Sequence, residues 1–380
     1  MRFFHLETAY HVYLEKFYAA RPGLAQADSA AQYAGLHADA FGWADFWTHY
    51  LVARGFEAED RLANAKPAQL AWARENGVAA GADSWMPQVA AAQVRKFAPE
   101  VLFLGDYAAF PAAWVKELRA QVPSIRLVVA WCGAPYQDAS FFGACDLVLS
   151  CIPELVTHFR ALGHKSELLR HGFDARILKR LGNAPAAQRY PVSFVGSVGI
   201  GSPAHAERQR LLAAIAGRVE LTVFTPAADR SPWQRARAAA KTLLGRDKGG
   251  PMPAALRRAL RPGVFGLDMF RTLRDSTVTL NSHIALSRHS ASNMRLYEAT
   301  GSGTCLVTDW KPDLAELFDP ESEVVAYRSA EECVEKVTYV LANPAARDRI
   351  AAAGQARTLR EHGFERRAAD MEALLRHYLP

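Results

Sequence analysis

"SASNMRLYEATGSGTCLVTD", residues 290–309, decides how the second half of the chain is read. Asn293, Leu296, Tyr297 and Thr300 recur at i, i+3, i+4 and i+7, the spacing of one helix face, while Arg295 and Glu298 share a neighbouring face. Ser292 or Asn293 can serve as N-cap, and Gly301 or Gly303 ends the helix before the strand that opens at Cys305-Leu306-Val307. A helix that begins in a cleft offers its first N–H groups and the positive end of its dipole to an anion, with Arg295 close by. That arrangement suits a phosphate.

Outward from this stretch, strands and helices alternate. "VSFVGSV" (192–198) leads through Gly199 and Gly201 into the helix "AERQRLLAAIAG", followed by the strands "VELTVF" (219–224) and "VTLNSHI" (278–284), and helices run from 310 to the end. In the first half, "EVLFLGD" (100–106), "IRLVVAWCG" (125–133) and "DLVLSC" (146–151) are apolar runs of the kind buried on both faces of a parallel sheet. Between them lie "PAAWVKELRAQV" and "PELVTHFRALG", helices with proline in the first turn, and residues 10–98 read as largely helical and rich in tryptophan. Trp43, Trp47, Trp72 and Trp85 are assigned to packing. The fold class is α/β, with two βαβ domains. The first spans 1–180, a linker 181–191, the second 192–362 with a basic insertion at 229–262, and a terminal helix 363–380 has the option of packing back on the first domain. Ligands in such sheets bind at the carboxyl ends of the strands, and two such domains put a cleft between those ends.

Composition narrows the function classes. The 380 residues are 50% apolar, enough for two cores, and no run approaches the roughly 18 apolar residues of a membrane span. "MRFFHLETAYHVYLEKFY" lacks the continuous apolar stretch of a secretory signal, and five cysteines without a C-x-x-C pair fit a reduced, cytoplasmic setting. Asp229–Pro262 holds nine basic residues and two acids, which leaves 36 basic and 37 acidic residues elsewhere. The net charge of +6 is thus one local segment, which argues against nucleic acid as a partner. Arg235, Arg237, Lys241 and Arg246 with Trp233, Leu243 and Leu244 give residues 231–263 the mixture expected of peripheral contact with an anionic membrane at its inner face; a solvated helical hairpin is the alternative.

"FGLDMFRTLRDSTVTLNSHI", "ASNMRLYEATGSGTCLVTD", "ELFDPESEVVAYRSAEE" and "NPAARDRIAAAGQARTLREHGFERR", together with "FGWADFWTHYL", "QLAWARENG" and "SFVGS", resemble the GT-B glycosyltransferases. Within them, the likeness is to the bacterial spore-maturation and surface-polysaccharide type with a "glycosyl transferases group 1" carboxy-terminal domain. The resemblance implies two Rossmann-like domains facing each other across a cleft, a nucleoside diphosphate sugar held by the second, and a glycan, lipid-linked glycan or protein acceptor held by the first. It also implies that Glu298 binds the ribose hydroxyls and that the anomeric configuration is retained. The earlier glutamate of the family's pair, eight positions before, is Ser290 in this chain, so its sugar contact does not carry over.

Local chemistry supplies the remaining candidates. Gly196, Ser197, Phe265, His283, Arg288, Asn293, Arg295 and Glu298 are assigned to the nucleotide sugar, and Asp106, His283 and Arg295 to catalysis. Preorganised donors stabilise charge developing on a departing diphosphate, and the absence of any D-x-D pair points to a metal-independent reaction without a cofactor. Each residue has a plainer reading: Arg295 can pair with Glu298 three residues on, worth about 0.2–0.5 kcal/mol, and Asp106 can be a turn residue. A nicotinamide-dependent oxidoreductase is disfavoured by the G-x-x-G-x-G order after "SFVGS" and by Thr225-Pro226, not an acid, after the next strand. A non-catalytic sugar-nucleotide-binding protein or an epimerase of the same shape stand as alternatives.

Overall fold

The computed structural model describes residues 1–182, 187–198, 206–229, 252–284 and 286–379. They form two units, Met1–Arg170 with Phe364–Pro380, and His171–Gly363. Gly199, Gly201 and most of the basic segment, residues 230–251, lie outside the described residues.

The first unit is built on six parallel strands, β1 (Arg2–Glu7), β2 (Glu57–Leu62), β3 (Val101–Leu104), β4 (Leu127–Trp131), β5 (Leu147–Ser150) and β6 (Ser166–Leu168), in the order β2-β1-β3-β4-β5-β6. Every residue of β3, β4 and β5 is buried, as their apolar runs demand. Two strands were not expected. β1 carries His5 in its middle, and β2 is an edge strand in which Glu57, Glu59, Asp60 and Arg61 outnumber the apolar residues. Polar residues on an edge deter pairing with another chain, and β2 is held by its register on β1, Arg2 opposite Glu57 through Glu7 opposite Leu62.

Of the tryptophans before β3, Trp43, Trp47 and Trp72 are buried and Trp85 is half-buried. Trp43 packs edge-on to Trp131 at 4.9 Å, and Trp47 lies 4.5 Å from Phe364. Phe364 opens the last helix, Phe364–Tyr378, which belongs to this unit: Met371 and Leu375 are fully buried, and the Tyr378 hydroxyl donates to Glu167 at 2.7 Å.

The second unit repeats the architecture with β7 (Tyr190–Val195), β8 (Leu221–Thr225), β9 (Leu260–Pro262), β10 (Ser276–Leu280), β11 (Cys305–Asp309) and β12 (Val325–Tyr327), all parallel, in the order β12-β11-β10-β7-β8-β9. β12, read from the sequence as part of a helical run, is a three-residue strand too short to show a period of two. Val192, Val223, Val278, Leu280 and Val307 meet the helices Ala206–Ala216 and Ala330–Ala342 in one core. The boundary falls at Arg170/His171, ahead of the 181–191 segment, because Phe173 packs into the second unit. Its ring fills the space left by Gly301, 6.1 Å from Phe270.

A Cβ at Gly301 would sit within 2.6 Å of both Cδ atoms of Phe173. Alanine gains about 1 kcal/mol over glycine in a helix, but overpacking costs typically 1–3 kcal/mol, and a buried ring cannot step aside as a flexible chain does. Gly301→Ala is therefore expected to lower stability in urea unfolding by up to about 2 kcal/mol, with Phe173→Leu in the same chain recovering part of the loss.

Candidate functional site

In each sheet the chain runs outward one way and then returns to build on the other side of its first strand. The second sheet grows from β7 through β8 to β9 and restarts with β10 on the far side of β7, so its switch point lies between the carboxyl ends of β7 and β10. Arg208, on the helix Ala206–Ala216, bridges that point. Its guanidinium donates to the Ser197 carbonyl at 2.9 Å and to the Ser282 carbonyl at 2.6 Å, and lies 5.6 Å over the Phe194 ring. Burial pulls its pKa down, against the pull of Asp309 and Tyr327. Arg208 was not among the sequence candidates. Its only signal was a basic residue early in the helix after a glycine-rich turn, which many solvated helix faces also show.

Beside this clamp is a cavity of about 990 Å³ at the carboxyl ends of β10, β11 and β12. Arg208, Arg210, Arg288, Lys311 and Arg328 line it against two carboxylates, Glu207 and Asp309. Asp309 is the organising anion. One oxygen accepts from the His283 backbone N–H at 3.0 Å and meets His283 Nδ1 at 2.7 Å, and the other meets Lys311 Nζ at 3.2 Å. Burial alone would raise its pKa, but His283 and Lys311 outweigh burial and hold it at about 2. His283 is thereby fixed through Nδ1, and its Nε2 has no hydrogen-bond partner among the described residues. Arg328 lies 3.7 Å over the Trp310 ring, a cation–π contact that holds a charge at the cavity wall.

The helix Met294–Gly301 starts where the sequence placed it, with Asn293 at the N-cap position, but the Asn293 side chain does not cap it. Asn293 instead exchanges two hydrogen bonds with Asn281, at 2.8 and 3.2 Å, and Asn281 also donates to Thr308 Oγ1 at 2.9 Å. The Tyr327 hydroxyl donates to the Asn281 carbonyl. Asn281, through its side chain and its main-chain carbonyl, thus ties the helix start to β10, β11 and β12. Ser292 hydrogen-bonds Ser287, so it is not the cap either.

Arg295, expected at a phosphate, is paired within its own helix: Nη1 lies 2.7 Å from Glu298 Oε2 and 3.0 Å from Met269 Sδ. Its Nε is buried and has no partner among the described residues. Burial raises the pKa of Glu298, and Arg295 opposes the shift. Phe265 is the N-cap residue of the helix that carries Met269, Gly266–Arg274. Gly196 approaches the Phe194 ring closely, and the Ser197 carbonyl is one end of the Arg208 clamp. The structure therefore brings His283 and Arg288 into the cavity and Ser197 to its clamp, while Arg295 and Glu298 form a separate pair joined to it through Asn293 and Asn281. Asp106 belongs to the first unit, where its carboxylate accepts from Thr8 Oγ1 and from the Ala108 backbone N–H. It is a turn-stabilising residue with both oxygens engaged.

Residues 208–373 match a family model described as glycosyl transferase-like. The chain carries a glycosyltransferase domain in a GT-B fold. No curated protein sequence matches it. Among solved structures it is similar to Anabaena HepE in complex with UDP-glucose, at 11% identity and a TM-score of 0.61 over 99% of this chain and 100% of that one. It is also similar to sucrose-phosphate synthase from Thermosynechococcus elongatus (13% identity, TM-score 0.55, 99% of each chain). A third is a glycosyltransferase from Rickettsia africae (10%, 0.59, 100% of this chain and 98% of that one). At such identities the likeness is one of fold. The matched residues include Arg208, the cavity lining from Arg210 to Ala330 and the Arg295–Glu298 pair, while Ser197 and Glu207 lie before them.

The depressed pKa of Asp309 is a stability statement. Folded at about 2 against an ordinary 3.8, the carboxylate contributes stability that is present above about pH 4 and lost as pH falls through about 2. Asp309→Asn removes that contribution, of order 2 kcal/mol. Unfolding followed from pH 7 to pH 2 should show the gap between wild type and Asp309→Asn narrowing through the lower part of that range.

Proposed function

We propose that the glycosyltransferase domain binds the nucleoside diphosphate of a sugar donor, with the diphosphate in the cationic cavity and the ribose hydroxyls on Glu298. A glycan or glycoconjugate, in surface polysaccharide or glycoconjugate synthesis, receives the sugar. The observation that supports this reading best is the cavity itself: five cations at a sheet switch point, two of them fixed in place by Ser197, Ser282 and Trp310. Departure of a nucleoside diphosphate leaves negative charge on its oxygens, and cations already held in position stabilise that charge without reorganising. Charge-assisted hydrogen bonds from Lys311, Arg288 and Arg328 serve this role on the present reading, and the unpartnered Nε2 of His283 is available to a phosphate or sugar oxygen. The reaction then needs no divalent metal. Retention of anomeric configuration is part of the same reading, as the family likeness implies.

The acceptor side extends to an anionic membrane surface on this reading. In the described part of the basic segment, Arg257, Arg258 and Arg261 are exposed while Leu256 and Ala259 are buried. Each exposed cation near such a surface is worth about 1 kcal/mol. Co-sedimentation with phosphatidylglycerol vesicles is expected at low salt and not at high salt, and reversal of these three charges should weaken it; equal binding by the variant removes the membrane contact.

Calorimetry with nucleosides and nucleoside diphosphates tests the donor site. Loss of a hydrogen bond to a charged group costs about 1.5–3 kcal/mol, so Lys311→Ala and Glu298→Ala should each weaken nucleoside diphosphate binding roughly ten-fold or more. A free nucleoside should feel Glu298→Ala and ignore Lys311→Ala. Identical binding by all three proteins contradicts the site. Turnover should also persist in excess chelator; activity lost to chelator and restored by manganese or magnesium contradicts the metal-free reading.

A further inference from the structure

The cavity of the second unit holds more positive charge than a nucleoside diphosphate brings negative charge to meet. Its five cations stand against two carboxylates, Glu207 and Asp309, an excess of three. A nucleoside diphosphate sugar brings a single negative charge on each phosphate, so a donor with a neutral sugar leaves one cation unanswered. Among the described residues Arg210, Arg288 and Arg328 form no ion pair, and all three are exposed. Lys311 is already shared with Asp309, and the buried Arg208 is spent on main-chain carbonyls.

The excess lies toward one edge of the sheet. The ends of β10, β11 and β12 are successive positions across it, so at the usual strand spacing the ends of β10 and β12 are about 10 Å apart. On the donor reading the ribose lies at Glu298, on the helix between β10 and β11, and the diphosphate follows it into the cavity. The sugar, joined to the far phosphate, then extends toward the end of β12, where Arg328 stands. Arg210 lines the same cavity from the helix Ala206–Ala216, which packs against the helix Ala330–Ala342 that follows Arg328.

Arg328 is prepared for a planar anion. With the Trp310 ring 3.7 Å from its guanidinium, one face of the group is covered and its edge of N–H donors is left for a partner in its own plane, the geometry in which a carboxylate binds through both oxygens. Its backbone is held as well: Ser329 Oγ accepts the Glu332 N–H at 3.2 Å, and the Glu332 carboxylate accepts the Arg328 N–H at 2.7 Å. Glu332 also meets Lys336 Nζ at 3.0 Å, so its charge is already answered. A guanidinium has five N–H donors, enough to serve the departing diphosphate and a second anion together.

We propose that the sugar of the donor bears a carboxylate, as a uronic acid does, and that Arg328 and Arg210 receive it. The proposal rests on the donor reading above, to which it adds the class of sugar. Two arginines on neighbouring elements then select an acidic sugar over a neutral one of the same ring shape, because only the acidic one meets the remaining charge.

Calorimetry with pairs of sugar nucleotides that differ only in this group tests it: UDP-glucose and UDP-glucuronate, GDP-mannose and GDP-mannuronate, dTDP-glucose and dTDP-glucuronate, beside UDP, GDP and dTDP alone. With the base that binds, the uronate should be held roughly five- to ten-fold tighter than the neutral sugar, and the preference should shrink at high salt. Arg210→Gln and Arg328→Gln should each lower uronate affinity more than neutral-sugar affinity, bringing the ratio toward one, while Arg328→Lys, which keeps the charge and loses the flat fork, should retain part of it. Both arginines are exposed, so thermal unfolding of the variants should match wild type, and a change in the ratio is a readout that a structural role would not move. Equal affinity of the wild-type protein for the two members of the pair, or a preference that survives both substitutions, overturns this proposal and leaves the donor reading standing. Loss of acidic and neutral donors in equal proportion by the variants assigns both arginines to the diphosphate and also contradicts it. Failure of every nucleoside diphosphate to bind the wild-type protein removes the donor reading and this one with it.

Discussion

A parallel sheet that changes its direction of growth must leave a gap between two adjacent strand ends, because the connections on either side leave in opposite directions. The rest of this protein's chemistry depends on how that gap is held open. In the second unit a single guanidinium does so: Arg208 takes one carbonyl from the turn after β7 and one from the turn after β10. Both turns are then fixed relative to the sheet, and with them Gly196, Ser197 and His283. A buried cation is costly unless its donors are met, and two main-chain carbonyls each take one from Arg208 without adding an opposing charge to the cavity.

The helix Met294–Gly301 shows a similar economy. The Asn281 side chain accepts from and donates to Asn293 and holds Thr308, and its main-chain carbonyl receives the Tyr327 hydroxyl, so one residue sets the height of the helix over three strands. With its side chain committed there, Asn293 cannot serve as a cap. Arg295 and Glu298 compensate each other a turn further on. A buried ion pair contributes little net stability compared with an apolar pair of the same volume, so this one adds little to the fold.

Much of the fold was legible because its strands obey the simplest rule of parallel sheets. β3 and β4 are unbroken apolar runs, β5, β7, β8 and β11 are broken by one or two polar residues, and β10 alternates hydroxyl residues with Val278 and Leu280; each could be located from its pattern. β1 and β2 were hidden for a shared reason. His5 and Asp60 sit opposite one another in the register and satisfy each other, so polarity that argues against a strand in isolation is neutralised across the pair. β12 is too short for any pattern. At the site, His283 and Arg288 could be read from position after a strand, whereas Arg208 could not, since its partners are carbonyls, which every residue has. The ion pair between Arg295 and Glu298 followed from their spacing alone, and their setting, buried against Met269, did not.

The last helix returns the chain to the unit in which it began. Phe364 sits among Phe46 and Trp47, Glu372 pairs with Arg54, and Tyr378 reaches Glu167, so the apolar floor under the amino-terminal helices is made of residues synthesised after the whole of the second unit. Domains generally fold in the order in which they are synthesised. In this chain the order is broken: the amino-terminal sheet waits, with two tryptophan-bearing helical segments incompletely covered, while the whole of the second unit is made. The interval is one in which exposed aromatic surface invites association, and the carboxy-terminal helix acts as the clasp that ends it.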